Sequence, residues 1–465
     1  VVILNSTGKE LSNNAPHHRE NRAAGIATHL LDFRKKYVLG AALLLIVAMC
    51  AGSAGLIYGK RWAWPPIRSD GFGYYAYLPA TLIHGDPSFK TLMKLRQSQL
   101  PWYPSLKRRW SGIRRYPTTG GYVNQYTMGV ALLNAPFFLI AHAAASLMGN
   151  VDNGFSMPYQ IGSIAAACFY LVAGLSILYL VLKQFFPVNV CVLTLAVHLF
   201  GTPLFHYGTF DGCFSHVYSF FLVALFLFAI LHYEEKPILR SLLCGALLGL
   251  IWMTRQSNII FGLFFALYGV SNCADLRRIV LNAGWLGSMV WFALGFLLTI
   301  SPQLVYWKYL AGSWFIISYG DLYFHWFSPQ ILNVLFSVKK GLFFWSPVLM
   351  ASTAGLYYLR RHVPELFGAT VIFMPLNLYV ISSWHSWWYG GSFGQRAFVE
   401  SVPIFALGFA SLWTSLGKSF ARRVLIPFIV ASTAMSLIYM IAYWMHVIPY
   451  DGPTWQQYSK VFLFR

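Results

Sequence analysis

Val424–Trp444 reads VLIPFIVASTAMSLIYMIAYW, and Tyr37–Tyr58 reads YVLGAALLLIVAMCAGSAGLIY. Neither stretch carries a charged side chain, and each meets the ~20-residue length that a helix needs to cross the hydrocarbon core of a bilayer. Backbone N–H and C=O groups find no water there, so a run of this kind must satisfy them internally, as a helix does. Further runs follow at Pro158–Leu182, Val188–Phe205, Phe214–Tyr233, Leu239–Thr254, Ser257–Val270, Val280–Ile300, Leu342–Leu359, Glu365–Ser382 and Ala397–Trp413. Together they predict an all-α polytopic transmembrane helical bundle of about 11 spans. The two short runs that meet at Arg255 could also form one bent or broken element. Composition agrees, because 57% of the 465 residues are hydrophobic and only 10% charged, where a soluble domain carries roughly a quarter charged.

The net charge of +20 comes from 34 Lys and Arg against 14 acids. In a membrane protein that excess points to anionic membrane lipids and lipid phosphates as partners. No aromatic and basic pattern of an RNA-binding module is present, so nucleic acid is not expected. The cysteines (Cys50, Cys168, Cys191, Cys213, Cys244, Cys273) are scattered without a CxxC, which indicates neither a zinc site nor a disulfide framework.

Orientation follows from the short basic loops. Lys183, Lys236 and Arg240, Arg277 and Arg278, Arg360 and Arg361, and Lys418, Arg422 and Arg423 fall on one side if the helices alternate, and that side reads as cytoplasmic. Arg34, Lys35 and Lys36 join it only if Thr127–Met148 does not fully cross. Thr127–Met148 is therefore expected to be an interfacial or re-entrant helix on the outer face. The predicted layout is a cytoplasmic tail over 1–36 and a single transmembrane domain over 37–465. Its external parts are a long first loop over 59–157 bearing interfacial helices, a second loop over 303–341, and a tail over 445–465. Tyr37–Tyr58 is too long for a signal-peptide core and reads as a retained helix. A start at Val1 rather than Met is expected of a trimmed chain.

The first loop holds eleven Lys and Arg between Gly59 and Gln125 against Asp70 and Asp86. Long loops translocate largely regardless of charge, so this does not reverse the topology. Most unusual polar residues then share the outer face, as expected of a membrane-embedded enzyme with an external site and less so of an alternating-access transporter. The strongest local signal is Arg68–Ala80, RSDGFGYYAYLPA. Asp70 at the membrane edge is suited to act as a general base; it is equally placed to cap a helix through Tyr74–Leu82. His206, Asp211 and His216 form a cluster whose spacing matches no zinc signature; polar contact with a sugar or acceptor and a purely structural role both fit. Trp384, Trp387 and Trp388, within WHSWWYGGSFGQR (Trp384–Arg396), suit either an interfacial aromatic belt or stacking on a sugar ring.

These stretches carry a resemblance. Asp70 after the first helix, then Tyr74, Tyr75 and Tyr77, then Gly85-Asp86, resembles the first external loop of GT-C glycosyltransferases. The similarity is to polyprenyl-phosphate-sugar-dependent enzymes such as the aminoarabinose transferase and the protein O-mannosyltransferases. An amphipathic helix on the outer face follows in that family, where Thr127–Met148 stands here. Gly249–Arg255 resembles a family helix that ends in a basic residue near the lipid phosphate, and Trp384–Arg396 resembles a Trp-Trp-Gly-Gly and Gly-x-Arg run. The resemblance implies a GT-C fold and inverting transfer from a lipid-linked sugar donor. It further implies Asp70 as base and Arg255 and Arg396 as donor-phosphate ligands, with Lys339, Lys340, Arg114 and Arg115 second in rank. Tyr74, Tyr75, His206, Asp211, His216, Trp387 and Trp388 become candidate sugar or acceptor contacts. It also implies a site on the periplasmic face of a bacterial inner membrane. No Asp-x-Asp is present, so neither a metal nor another cofactor is expected, although a divalent ion stays open.

Each basic candidate has a plainer role. Arg396 lies four residues before Glu400, the spacing of a helical ion pair. Arg255 can snorkel to the interface, Lys339-Lys340 can flank the next helix, and Arg108-Arg109 and Arg114-Arg115 can face headgroups. A flippase for lipid-linked saccharide and a non-catalytic scaffold stand as alternatives, and the acceptor (lipid, glycan or protein) is left open.

Overall fold

A computed structural model of the chain describes residues 40, 44–55, 65–98, 112–116, 122–280, 282–319, 323–417 and 419–463. The tail over 1–36 and the pair Arg108-Arg109 lie outside them. The chain divides into a short unit, Val1–Met49, and a second, Cys50–Arg465, that contains the candidate site.

Among the described residues, eight helices are long and apolar enough to cross a membrane: Gly129–Leu147, Met157–Lys183, Ser215–His232, Pro237–Thr254, Gly284–Ala311, Pro364–Ser383, Arg396–Leu416 and Phe420–Trp444. Leu44–Gly55, Val188–Gly201 and Gln256–Ala266 are apolar but shorter. The chain is thus an integral membrane protein built of helices. Burial separates the centre from the rim. The most apolar stretch of Arg396–Leu416 is 94% buried, whereas that of Gly284–Ala311 is 17% buried, leaving Leu286, Leu297 and Leu298 outward. An outward apolar face on a span is what lipid contact requires.

Several predicted runs change shape in three dimensions. Ser257–Val270 does not form one long helix: as the alternative of a broken element at Arg255 anticipated, the chain leaves the preceding helix there in extended conformation (φ −159, ψ 113) and continues as a 3-10 turn over Gln256–Gly262. Leu342–Leu359 is broken into Leu342–Trp345, Val348–Gly355 and Leu359–His362, with Pro347 at the first break. The helix predicted to end at Ile300 runs on to Ala311 through Pro302, so 303–311 belongs to a helix rather than to the second external loop. Thr127–Met148 yields a 19-residue helix, Gly129–Leu147, that is itself long and apolar enough to span.

Close helix contacts are made where side chains are absent. A Cβ on Gly245 would lie 1.9 Å from the Phe292 carbonyl oxygen, and one on Gly295 would lie 2.3 Å from that of Leu242. Gly245 and Gly249 share a face of Pro237–Thr254, the small-xxx-small pattern that lets backbones approach in a bilayer. This pair of helices carries Arg255 at its end.

Candidate functional site

The DGFG stretch is shaped by its neighbours. Ser69 takes a left-handed φ of 49 and turns the chain into the short helix Asp70–Tyr75. Gly71 packs on Cys213 so closely that a Cβ would stand 2.8 Å from the Cys213 Cβ. The Gly73 carbonyl accepts from Asn124 Nδ2 at 2.7 Å. Asn124 lies in a two-stranded antiparallel pair, Ile113–Arg115 with Tyr122–Asn124. Ser69, not Asp70, is the N-cap of that helix, and it makes no side-chain capping bond; Asp70 is its first residue. The Asp70 Oδ2 receives Arg396 Nη2 at 2.9 Å.

Arg396 opens a 3-10 segment, Arg396–Ser401, rather than an α-helix. With three residues per turn, a side chain four positions on points about 120° away. The expected pair with Glu400 therefore does not form. Glu400 turns to the opposite neighbours, where its Oε1 accepts from His216 Nδ1 at 2.9 Å and from Arg255 Nη1 at 3.3 Å. Arg255 also lies 4.9 Å from the Tyr389 ring, and Arg396 lies 5.4 Å from that of Phe214. Tyr389, at a φ of 57, and Gly390, at 64, make the left-handed bend that brings the Trp384–Arg396 run back over them.

These groups border one cavity of about 670 Å³. Asp70 and Tyr74 come from the first loop, Gln125 and Tyr126 from the end of the strand pair, and Phe214, Ser215 and His216 from the start of a helix. Arg255, Gln256 and Ser257 come from the helix break, and 315–319 with Phe324 from the second loop. Val380, Trp384, His385, Ser386, Tyr389, Gly390 and Arg396 complete the wall. Aromatic rings line it in series, with Tyr74 and Tyr126 4.2 Å apart, Tyr126 and Tyr319 6.3 Å, and Tyr319 and Trp384 5.7 Å. Burial pushes the Tyr74 phenol up to about 12, and that of Tyr126 well above its ordinary value. Both rings therefore stay neutral and offer O–H donors.

No family model and no curated protein sequence matches this chain. What the cavity can do rests on its own chemistry: two guanidiniums, one carboxylate paired to one of them, neutral phenols and two histidines. Concave sites of about 300–1,000 Å³ with apolar walls and a few convergent polar groups are the usual form of small-molecule sites.

Of the residues singled out from sequence, Asp70, Tyr74, His216, Arg255 and Arg396 meet at this cavity. Arg114 braces it from behind, donating to the Ser318 carbonyl at 2.7 Å, while Arg115 is exposed beside Tyr122. The others do not line it. Tyr75 is buried and donates to the Gly154 carbonyl at 2.8 Å. His206 and Asp211 form a separate buried chain: Trp444 Nε1 donates to His206 Nδ1 at 2.9 Å, His206 Nε2 meets Asp211 Oδ2 at 3.0 Å, and Arg68 Nη2 meets Asp211 Oδ1 at 2.6 Å. Burial alone would raise the Asp211 pKa, but Arg68 and His206 hold it down to about 2. The sequence cluster of His206, Asp211 and His216 is therefore split between two networks. Among the described residues no group of three or more His, Cys, Asp or Glu is placed to hold a metal.

Lys339 sits over the Trp388 ring with Nζ 3.3 Å from its centroid, a structural cation–π pair outside the cavity lining. Trp387 packs on Trp388 at 5.8 Å, and its carbonyl accepts from Gln395. Lys340 is fully buried, donating to the Ser392 and Tyr450 carbonyls. Burial lowers its pKa to about 7. Asp86 Oδ1 accepts from the Ser88 amide and Oδ2 from that of Thr91, the work of a cap for Lys90–Ser98.

Sequence reasoning missed Tyr126, Tyr319, His385 and Tyr389 as cavity residues and Glu400 as the hub, whereas Trp384, one of the tryptophans offered for stacking, does line the cavity. Glu400 had a usable signal, since a lone acid inside the apolar run Ala397–Trp413 is costly unless it has a task. The aromatic residues had none, because tyrosines and tryptophans occur throughout this chain.

Proposed function

We propose that the chain is a GT-C type membrane glycosyltransferase. It moves a sugar from a polyprenyl-phosphate-linked donor to an acceptor on the non-cytoplasmic face, in a bacterial inner membrane. The observation that carries this reading is the convergence of Asp70, Arg255 and Arg396, from three distant segments, on one aromatic-walled cavity in an integral membrane protein. In inverting transfer, the acceptor's oxygen or nitrogen attacks the anomeric carbon as the bond from that carbon to the phosphate oxygen breaks. Asp70 takes the acceptor's proton. Arg255 and Arg396 face the charge that develops on the departing lipid phosphate, and cations fixed in place beforehand lower that barrier most. The neutral phenols of Tyr74 and Tyr126 and the ring of Trp384 suit the hydroxyls and face of a sugar.

The test is release of polyprenyl phosphate by the purified protein from polyprenyl-phosphate-linked hexoses and pentoses. Asp70→Asn keeps shape and removes the basic oxygen, and should lower turnover at least ~10²-fold, the low end for a lost general base. Release that is absent with every such donor, or undiminished in Asp70→Asn, overturns the proposal.

A further inference from the structure

Glu400 is only 1% exposed, yet it faces two residues of the cavity wall at once. Its Oε1 takes the Arg255 guanidinium from one element and the His216 ring from another. An ionised carboxylate only accepts hydrogen bonds, so the His216 proton sits on Nδ1. Arg255 already balances the charge of Glu400, and a second proton on the ring would place a third cation beside Arg255 and Arg396. The ring is therefore neutral, and its Nε2 carries a lone pair. Among the described residues Nε2 has no hydrogen-bond partner, and His216 belongs to the cavity wall.

That lone pair has a consequence for what can bind. Phosphate oxygens are acceptors; they suit Arg255 and Arg396 and are repelled by Nε2. A hydroxyl is a donor and suits Nε2. Arg255 and Arg396 line the cavity as donors suited to an anion, and His216 lines it as the acceptor suited to a hydroxyl.

We infer that Glu400 is a positioning residue for two adjoining subsites, holding Arg255 for the substrate's anion and fixing His216 in the tautomer whose Nε2 accepts a substrate hydroxyl. The ligand class is then a hydroxyl-bearing phosphate ester rather than a bare phosphate. Naming the hydroxyl as one on a sugar rests on the glycosyl-transfer reading; the pairing of the two subsites does not.

Binding to the purified full chain tests this, with methyl phosphate and glucose 1-phosphate, both fully ionised and differing in the sugar hydroxyls, as probes in titration calorimetry. One neutral hydrogen bond should favour glucose 1-phosphate about tenfold. His216→Ala should abolish that advantage, and His216→Gln, whose amide oxygen can still accept, should restore part of it. Glu400→Gln should weaken both probes. In protein labelled with ¹⁵N-histidine, the His216 signal should show a protonated Nδ1 and a bare Nε2, and Glu400→Gln should disturb that pattern. Equal affinity for the two probes in the unmodified protein, a preference that survives His216→Ala, or a protonated Nε2 overturns the inference. Failure of sugar transfer with this binding pattern intact would remove the transferase reading and leave the subsites standing.

Discussion

Asp70→Asn should do two opposite things at once, and that combination separates a base from a packing residue. Arg396 holds Asp70 at 2.9 Å, with the side chains 12% and 19% exposed. At an effective dielectric of about 20, the bare attraction at that distance is about 6 kcal/mol. Desolvation opposes it and partial exposure screens it, leaving a contribution at the low end of the ~1.5–3 kcal/mol typical of a hydrogen bond to a charged group. A donor phosphate that takes Arg396 must first displace this carboxylate. Removing its charge returns that contribution to the ligand, so phosphate affinity should rise about tenfold while turnover falls at least ~10²-fold. Calorimetry with a short-chain polyprenyl phosphate reads the first quantity, and release from the lipid-linked donor reads the second. In an Arg396→Gln background the gain in affinity should vanish, because the competition has lost its object. Affinity that is unchanged or weaker in Asp70→Asn, or a gain that persists without Arg396, would refute the reasoning.

Lys340 should make stability depend on pH. Its folded pKa of about 7 lies below the ordinary 10.5, so the unfolded chain holds a proton that the folded chain gives up between those values. Stability should rise with pH across that window by up to ~1.4 kcal/mol per unit and be lost as pH falls back to about 7; Lys340→Met should flatten the slope in thermal unfolding. Gly245→Ala places a methyl where the Phe292 carbonyl stands at 1.9 Å, and should cost about 1–3 kcal/mol by forcing the helices apart. An unchanged melting temperature would show that this contact is not tight. On a cysteine-free background, a cysteine at Ser386 should react with an impermeant reagent from outside and one at Ser419 should not. Labelling at Ser419 would reverse the orientation read from the basic loops.

How much was legible beforehand differs between the helices and the site. Val424–Trp444, Phe214–Tyr233 and Pro158–Leu182 appear as helices within a few residues of their apolar bounds. A bilayer span is a local requirement on length and apolarity, and needs no knowledge of neighbours. A bend or break at Arg255 was already open from the two short runs that meet there, but the break at Pro347 was harder to read, since proline bends some helices and ends others. Pro302, Pro375 and Pro427 all sit inside continuous ones.

The charge of each candidate residue, and the membrane setting that makes such charges costly, came from the sequence alone. Asp70 stood out as the acid of the glycine-rich stretch after the first helix, and Arg255 and Arg396 through the resemblance and because a charge at a span end is costly without a partner or a ligand. Which partner each one takes was decided by the tertiary structure. Spacing offered Glu400 to Arg396, and the 3-10 path turned it away, towards Arg255 and His216, leaving Arg396 to Asp70. Lys339 and Lys340 looked as cationic as the two arginines. Lys340 is buried against Trp345 and backbone carbonyls and Lys339 lies half-buried over Trp388, and neither lines the cavity that the two arginines share. A side chain's charge is a property of its residue type, but the cavity it faces depends on how distant segments pack, and no pattern along a single chain records that.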